Sequence, residues 1–102
     1  MKMFIITSIR EDMQAVTGIF EKAGIPVFSV SDTIGHKADH DDYLLSNWFG
    51  RNQEETAALL FFSFTEDEKA DQALKLVKDF NEQKQSLFPV RAFILPVLAA
   101  SY

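Results

Sequence analysis

The sequence predicts an α+β fold in which one four-stranded antiparallel sheet carries two helices on one of its faces. Four stretches are short and rich in β-branched and aromatic residues, which is typical of strands. Two other stretches carry apolar residues at spacings of three and four, which is typical of helices that pack on a core. These elements follow one another in the order β-α-β-β-α-β. With 102 residues, 47% of them apolar, the chain 1–102 is expected to form a single domain.

The first strand and the first helix are predicted near the start of the chain. The run MFIITSI, residues 3–9, is apolar and β-branched and indicates a buried strand. Four apolar residues then recur at helical spacing: Met13, Val16, Phe20 and Ala23. A helix is therefore expected over residues 11–23. Gly24 suits the left-handed conformation in which many helices end, and Pro26 prevents the helix from continuing.

The second strand is predicted over residues 27–34, VFSVSDTI, where apolar and polar side chains alternate. One face carries Phe28, Val30 and Ile34, and the other carries Ser29, Ser31 and Thr33. Residues 35–55 follow without a hydrophobic period, although they contain both histidines, the single tryptophan and several aspartates. Structureless segments of this length are uncommon in compact domains and are usually functional or disordered. The segment is therefore predicted to be a functional loop.

The third strand and the second helix are predicted from a continuous apolar run and a helix-start signal. Residues 56–64, TAALLFFSF, are apolar at most positions, which indicates a central strand covered on both sides. Thr65 and Glu68 match a capping box, in which each side chain satisfies an amide at the helix start. The apolar face of the following helix consists of Ala70, Ala73, Leu74, Val77 and Phe80. A helix is expected over residues 66–82.

The fourth strand is predicted over residues 90–95, and Pro96 either restricts it to a sheet edge or ends it. Each β-α-β half prefers a right-handed crossover, which places both helices on the same face of the sheet. The expected architecture is thus a ferredoxin-like β-α-β-β-α-β sandwich. Strands one, three and four are apolar on the uncovered face as well. Because exposed apolar patches of that size mark interfaces, we expect self-association through this face into a closed ring.

Charge and composition exclude several classes of protein. Fifteen acidic and ten basic residues give a net charge of −5, which disfavours nucleic-acid binding. No cysteine is present, so disulfides and thiolate metal sites are excluded. No run approaches the ~20 apolar residues of a membrane span, and no leader pattern begins the chain, so a cytoplasmic protein is expected. The sequence also lacks a nucleophile motif, a phosphate loop and paired carboxylates, and we expect no enzyme activity.

A cluster of metal-binding residue types lies within residues 35–55. His36, Asp39 and His40 belong to the pattern H-x-x-D-H-D-D. Imidazole and carboxylate groups together suit a divalent ion such as zinc, and both histidines would share one side of a helix. The alternative is a solvated acidic loop that contains two histidines. The sequence leaves both interpretations open.

Large apolar side chains are also present in this segment, among them Tyr43 and Trp48. Such residues either pack on their own domain or anchor a partner protein, because aromatic residues dominate binding hot spots. We take Tyr43 and Trp48 as the candidates for contacts with an unidentified partner.

Nearly the whole chain resembles the PII-like signalling family, which includes nitrogen regulatory proteins. The resembling stretches are the strand MFIITSI, the helix REDMQAVTGIFEKAGI, the strand FSVSDTIGH that enters a long loop, and the last strand AFILPV. The resemblance implies a homotrimer with the sheets packed inward. It also implies small-ligand binding in the clefts between subunits, reported to a target protein by a projecting T-loop, here residues 35–55. Gly35, His36, Lys37 and Arg91 are the corresponding candidates for binding an anionic ligand.

One departure from the PII family bears on the ligand, and a second resemblance bears on a metal. PII proteins hold adenine-nucleotide phosphates with a glycine-aspartate-glycine-lysine turn before the last strand, where this chain has SLFPVRAF. Because glycine amides cradle phosphates, nucleotide binding in the family manner is not expected. The stretch NWFGRNQEE is similar to CutA-type divalent-cation-tolerance proteins, which have the same fold. That second resemblance implies, as the alternative function, a metal-binding or metal-tolerance protein.

Overall fold

A computed structural model describes residues 1–36 and 55–102 of the chain. These residues form strands and helices in the predicted order, with a short 3-10 turn before the first helix. The elements are β1 (Lys2–Ser8), the 3-10 turn (Arg10–Asp12), α1 (Met13–Lys22), β2 (Ser29–His36), β3 (Glu55–Thr65), α2 (Asp67–Lys84) and β4 (Arg91–Pro96). Neither α1 nor α2 is long and apolar enough to cross a membrane.

The four strands form one sheet in the order β2-β3-β1-β4, and every neighbouring pair is antiparallel. In the centre of the sheet Ile6 of β1 lies opposite Phe61 of β3. The α+β class and the ferredoxin-like arrangement are thus confirmed. β3 is interior, as its apolar run predicted, and β4 is an edge strand that ends at Pro96.

The core lies between the helices and one face of the sheet. Its fully buried large side chains are Phe4, Ile6, Val16, Phe20, Ile25, Phe61 and Val90. The Phe20 ring stacks on Phe28, with 4.3 Å between ring centroids, and meets Phe4 edge to face at 5.9 Å. Both arrangements are favourable for aromatic pairs. Of the predicted apolar face of α1, Val16, Phe20 and Ala23 are buried in the core, whereas Met13, in the first turn, is 45% exposed and the prediction for it is wrong.

Gly24 ends α1 in the predicted manner, with a φ of 75° that a side chain would disfavour. The start of α2 differs from the prediction, because the capping box of Thr65 and Glu68 is wrong. Thr65 is the last residue of β3 and pairs with Lys2, so the strand ladder holds it. Glu66 takes the N-cap position in an extended conformation and makes no capping hydrogen bond through its side chain.

The boundaries of β2 also differ from the prediction. The strand begins at Ser29 and continues through Gly35 and His36, which pair with Thr56 and Glu55 of β3. Gly35, His36 and Glu55 therefore belong to the sheet and not to the loop predicted over 35–55. Backbone pairing extends beyond the point where the alternation of side chains ends.

Polar side chains tie the connections to the sheet. Asp32, which the alternation places on the apolar side of β2, forms a surface ion pair with Arg10. Ser63 of β3 donates a hydrogen bond to the Val27 carbonyl oxygen at 2.5 Å. These contacts hold the segment that enters β2 against its neighbours.

The sheet face that points away from the helices is called the open face below. Its described apolar residues are Met3, Ile5, Ala58, Leu60, Phe62, Phe64, Phe93 and Leu95. Its polar residues are Thr7, Ser29, Ser31, Thr33 and Arg91. Phe64, Phe93 and Leu95 are 53%, 42% and 41% exposed. The predicted second apolar face is therefore present, and large side chains on it remain accessible in a single chain.

Candidate functional site

Arg91 is the candidate residue with the most distinctive surroundings. It opens β4 and lies opposite Thr7 of β1 on the open face. Its Nε atom is buried and has no hydrogen-bond partner among the residues that the structure describes. An unsatisfied buried donor costs about 1–3 kcal/mol. Because the atom is shielded from solvent, a ligand atom or a second chain would accept this hydrogen bond only if the Arg91 side chain changed conformation.

The connection before β4 fixes the position of Arg91. Asn81, near the end of α2, donates from Nδ2 to the Val90 carbonyl oxygen at 2.8 Å. The Val90 amide donates in return to Asn81 Oδ1 at 3.0 Å. Val90 is itself buried in the core. The residue before Arg91 is thus held by two hydrogen bonds and by packing.

Further hydrogen bonds shape the same connection. Gln85 follows α2 in the left-handed conformation, with a φ of 49°, and its amide donates to the Asn81 carbonyl oxygen at 3.0 Å. The Phe88 amide donates to Ser86 Oγ, also at 3.0 Å. The connection therefore has a defined backbone course without any glycine.

Gly35 and His36 lie at the same end of the sheet as Arg91. The direct row across the strands joins Arg91 to Thr7, Leu60 and Ser31, so His36 lies five residues further along β2. At about 4.8 Å between strands and 3.3 Å per residue, roughly 20 Å separates these candidates from Arg91. One chain therefore does not bring the predicted anion-binding residues together.

The remaining predicted site residues lie outside the described residues: Lys37, Asp39, His40, Tyr43 and Trp48. His36 is exposed and is the one member of the predicted metal cluster within residues 1–36 and 55–102. In those two ranges, no three acidic or histidine side chains are placed to hold a metal ion.

A shallow groove of about 530 Å³ lies at the other end of the sheet. Its lining includes Met1, Pro26, Phe64 and the first residues of α2. The Met1 amino group is 3.9 Å from the Asp67 carboxylate at the groove's edge. Sequence reasoning missed this groove, since it joins distant segments and no local pattern marks it.

Sequence reasoning also missed the role of Asn81, which falls near the end of the helix predicted over residues 66–82. α2 continues to Lys84, so Asn81 lies in its last turns. The signal for this contact would be a polar residue on the core-facing side of a helix, shortly before the next strand.

Comparisons with known proteins give structural similarity only. No protein-family model matches the sequence. No curated protein is detectably similar to it. The fold is similar to the structure of CPII, a nitrogen regulatory PII-like protein from Thiomonas intermedia K12, bound to ADP, AMP and bicarbonate. The TM-score is 0.66 at 12% identity, over 94% of this chain and 88% of that chain. The likeness shows a PII-like fold, while the resemblance to CutA-type proteins stays a prediction.

Proposed function

We propose that this protein is a PII-like regulator that binds a small anionic ligand between copies of the chain. One observation carries the proposal: Arg91, whose Nε has no hydrogen-bond partner among the described residues, lies at one end of a sheet face with exposed apolar side chains. The fold shared with a PII-like protein bound to ADP, AMP and bicarbonate supports it. The proposed activity is binding, and catalysis has no part in it.

Assembly is proposed to occur through the open face. Phe64, Phe93 and Leu95 expose apolar surface there, and burial would remove it from water at about 25 cal/mol per Å². A heterologous contact of this kind forms a closed ring when the rotation between copies closes. We propose a homotrimer with the sheets packed inward, as the resemblance to PII proteins implies.

The ligand site is proposed to lie where copies meet. Arg91 belongs to the edge strand β4, so a neighbouring copy can approach it. Gly35 and His36 belong to the opposite edge strand β2 and lie too far from Arg91 in the same chain. A second copy would supply its own Gly35, His36 and Lys37 beside Arg91. The site is thus incomplete in one chain.

Signalling is proposed to run through residues 35–55, with Tyr43 and Trp48 contacting a target protein. β2 ends at His36, so Gly35 and His36 are the first residues of this segment. A ligand bound beside them would therefore act where the segment begins. The metal-binding alternative, with His36, Asp39 and His40, has no observation among the described residues in its favour.

Calorimetric titration with bicarbonate tests the proposal, on protein whose mass has been measured by light scattering. We expect a mass of several chains and saturable binding that Arg91→Ala weakens at least about tenfold, since a charged hydrogen bond is worth about 1.5–3 kcal/mol. Arg10→Ala is the matched control, because Arg10 is exposed and paired with Asp32. An equal loss of affinity in Arg91→Ala and Arg10→Ala, or the absence of saturable bicarbonate binding, would contradict the proposal.

A further inference from the structure

We propose that residues 97–102 of one copy dock into the shallow groove of the neighbouring copy, whose lining includes Met1, Pro26 and Phe64. The inference rests on the proposed function in one respect, since it assumes that copies assemble through the open face. It goes beyond that function by naming a second contact between copies, at the end of the sheet away from Arg91. Three observations carry it: the exposed apolar segment, the apolar lining of the groove, and the sheet register that places both at one level.

Residues 97–102, VLAASY, leave the sheet as an exposed apolar segment. The structure describes all of them, and they form neither a helix nor a strand. None of them is charged, and Leu98 and Tyr102 are 94% and 89% exposed. Large apolar side chains exposed together mark a surface that binds another surface. The composition of the segment is therefore that of a docking element.

Two contacts hold this segment beside the groove of its own chain. The Val97 amide donates to the Met1 carbonyl oxygen, and the Tyr102 hydroxyl donates to Met1 Sδ, both at 3.4 Å. The first contact is longer than the ordinary N–H···O bond of about 2.7–3.2 Å, and a thioether sulfur is a weak acceptor. None of residues 97–102 lines the groove of its own chain. The segment is thus weakly held and available to another copy.

The groove offers a matching apolar surface. Its volume of about 530 Å³ lies within the range of pockets that enclose ligands. Met1, Pro26 and Phe64 are all exposed, and Phe64 also belongs to the open face, so the groove is continuous with the proposed interface. Asp67 and Lys69 of α2 add charges to the lining. An uncharged segment brings no charge of its own that docking would remove from water.

The sheet register places the groove and the segment at the same level. β4 ends at Pro96, which pairs with Lys2 of β1, and Lys2 pairs with Thr65, which lines the groove. Residues 97–102 therefore begin at the level of the groove. Pro26, on the other side of the groove, precedes the edge strand β2.

A closed ring brings the segment of one copy to the groove of the next. The edge strand β4 of one copy then faces the edge strand β2 of its neighbour, as the proposed anion site also requires. Because β2 and β4 run in opposite directions in the sheet, the end of β4 meets the start of the neighbour's β2. Two strand spacings, roughly 10 Å, then separate β4 from Phe64 of the neighbouring copy, whereas residues 97–102 span about 20 Å when extended. The segment is long enough to reach the groove.

Chemical cross-linking tests the inference on the full chain, which has no cysteine of its own. Pro26→Cys and Leu98→Cys are prepared separately, refolded together and treated with a short bismaleimide. A bridge between these two positions can then join only different chains, and we expect it to be the main product. Met13→Cys replaces Pro26→Cys in the matched control, since Met13 is exposed but begins α1 beyond the opposite end of β1. The control mixture should give at least about tenfold less of the mixed product, because docking raises the local concentration of one cysteine beside the other.

The strength of assembly gives a second readout. Leu98→Asp is expected to raise the dissociation constant of the assembly at least about tenfold, because it removes a buried leucine side chain and places a charge in an apolar groove. Met13→Asp is the control and should leave that constant unchanged. Light scattering over a dilution series measures both, with circular dichroism verifying the fold of each variant.

The outcomes distinguish this inference from the proposed function. Equal bridging in the two mixtures, or an unchanged dissociation constant for Leu98→Asp, would overturn the inference. A bridge that forms only within single chains of the double variant Pro26→Cys/Leu98→Cys would also overturn it, because the segment would then occupy its own groove. In each case an assembly that binds bicarbonate through Arg91 would leave the proposed function standing. A mass of one chain for the unaltered protein would overturn both.

Discussion

The side chain of Asn81 and the backbone of Val90 exchange two hydrogen bonds, Nδ2 to the carbonyl oxygen at 2.8 Å and the amide to Oδ1 at 3.0 Å. The carboxamide thereby satisfies both backbone hydrogen-bonding groups of Val90, as a neighbouring strand would inside a sheet. Because Arg91 comes next, this pair connects the packing of α2 to the position of the proposed ligand-binding residue.

Asn81→Ala is expected to destabilise the protein by about 1–3 kcal/mol, because it leaves the Val90 amide and carbonyl without partners at a buried position. Urea unfolding monitored by circular dichroism measures the effect. Glu82→Ala, at an exposed neighbouring position of α2, should change stability by no more than about 0.5 kcal/mol. Equal unfolding midpoints for the two variants would contradict the account.

Gln85→Gly is expected to stabilise the protein by about 0.5–1 kcal/mol, since Gln85 has a φ of 49° that glycine adopts without strain. Gln83→Gly is the matched control within α2, where glycine should destabilise by about 1 kcal/mol. The melting temperature should therefore rise in Gln85→Gly and fall in Gln83→Gly. A lower melting temperature for Gln85→Gly would be inconsistent with a left-handed Gln85.

The buried ion pair and the exposed ion pair are expected to differ in strength. Asp12 is 2% exposed and pairs with Lys84, whereas the side chains of Arg10 and Asp32 are 61% and 70% exposed. Double-mutant cycles to alanine should give a coupling of about 1–2 kcal/mol for the first pair and below about 0.5 kcal/mol for the second. Equal coupling energies for the two pairs would show that burial of Asp12 does not strengthen its ion pair with Lys84.

Phe93→Glu is expected to dissociate the assembly, because it places a charge on the open face where copies are proposed to meet. Phe93 is 42% exposed in a single chain. Met13→Glu is the control, since Met13 is 45% exposed but lies in α1, on the helix side of the sheet. Light scattering should give the mass of one chain for Phe93→Glu and the mass of the assembly for the control. An unchanged mass would place the interface elsewhere.

Local patterns predicted the fold because each element carries its own signal. The alternation in β2, the helical spacing of Val16 and Phe20, and the stop at Gly24 and Pro26 all act over a few residues. Pro96 ends β4 as expected. These short-range constraints agree with one another, and the chain order then leaves few topologies open.

Contacts between distant residues escaped prediction. The pairing of Asp12 with Lys84 joins residues 72 positions apart, and that of Asn81 with Val90 depends on how α2 packs on β4. The capping box failed for the same reason, since strand pairing holds Thr65 in β3. Of the predicted ligand residues, the structure places Gly35, His36 and Arg91 in strands, but it does not join them within one chain.

The central claim is that an anion bound at Arg91 is reported through residues 35–55, and Trp48 fluorescence tests it most directly. Trp48 is the single tryptophan of the chain and belongs to this segment. Titration with bicarbonate should change its emission saturably, with the affinity measured by calorimetry, and Arg91→Ala should abolish the change. Calorimetric binding without any change in emission, or a change that persists in Arg91→Ala, would contradict the claim.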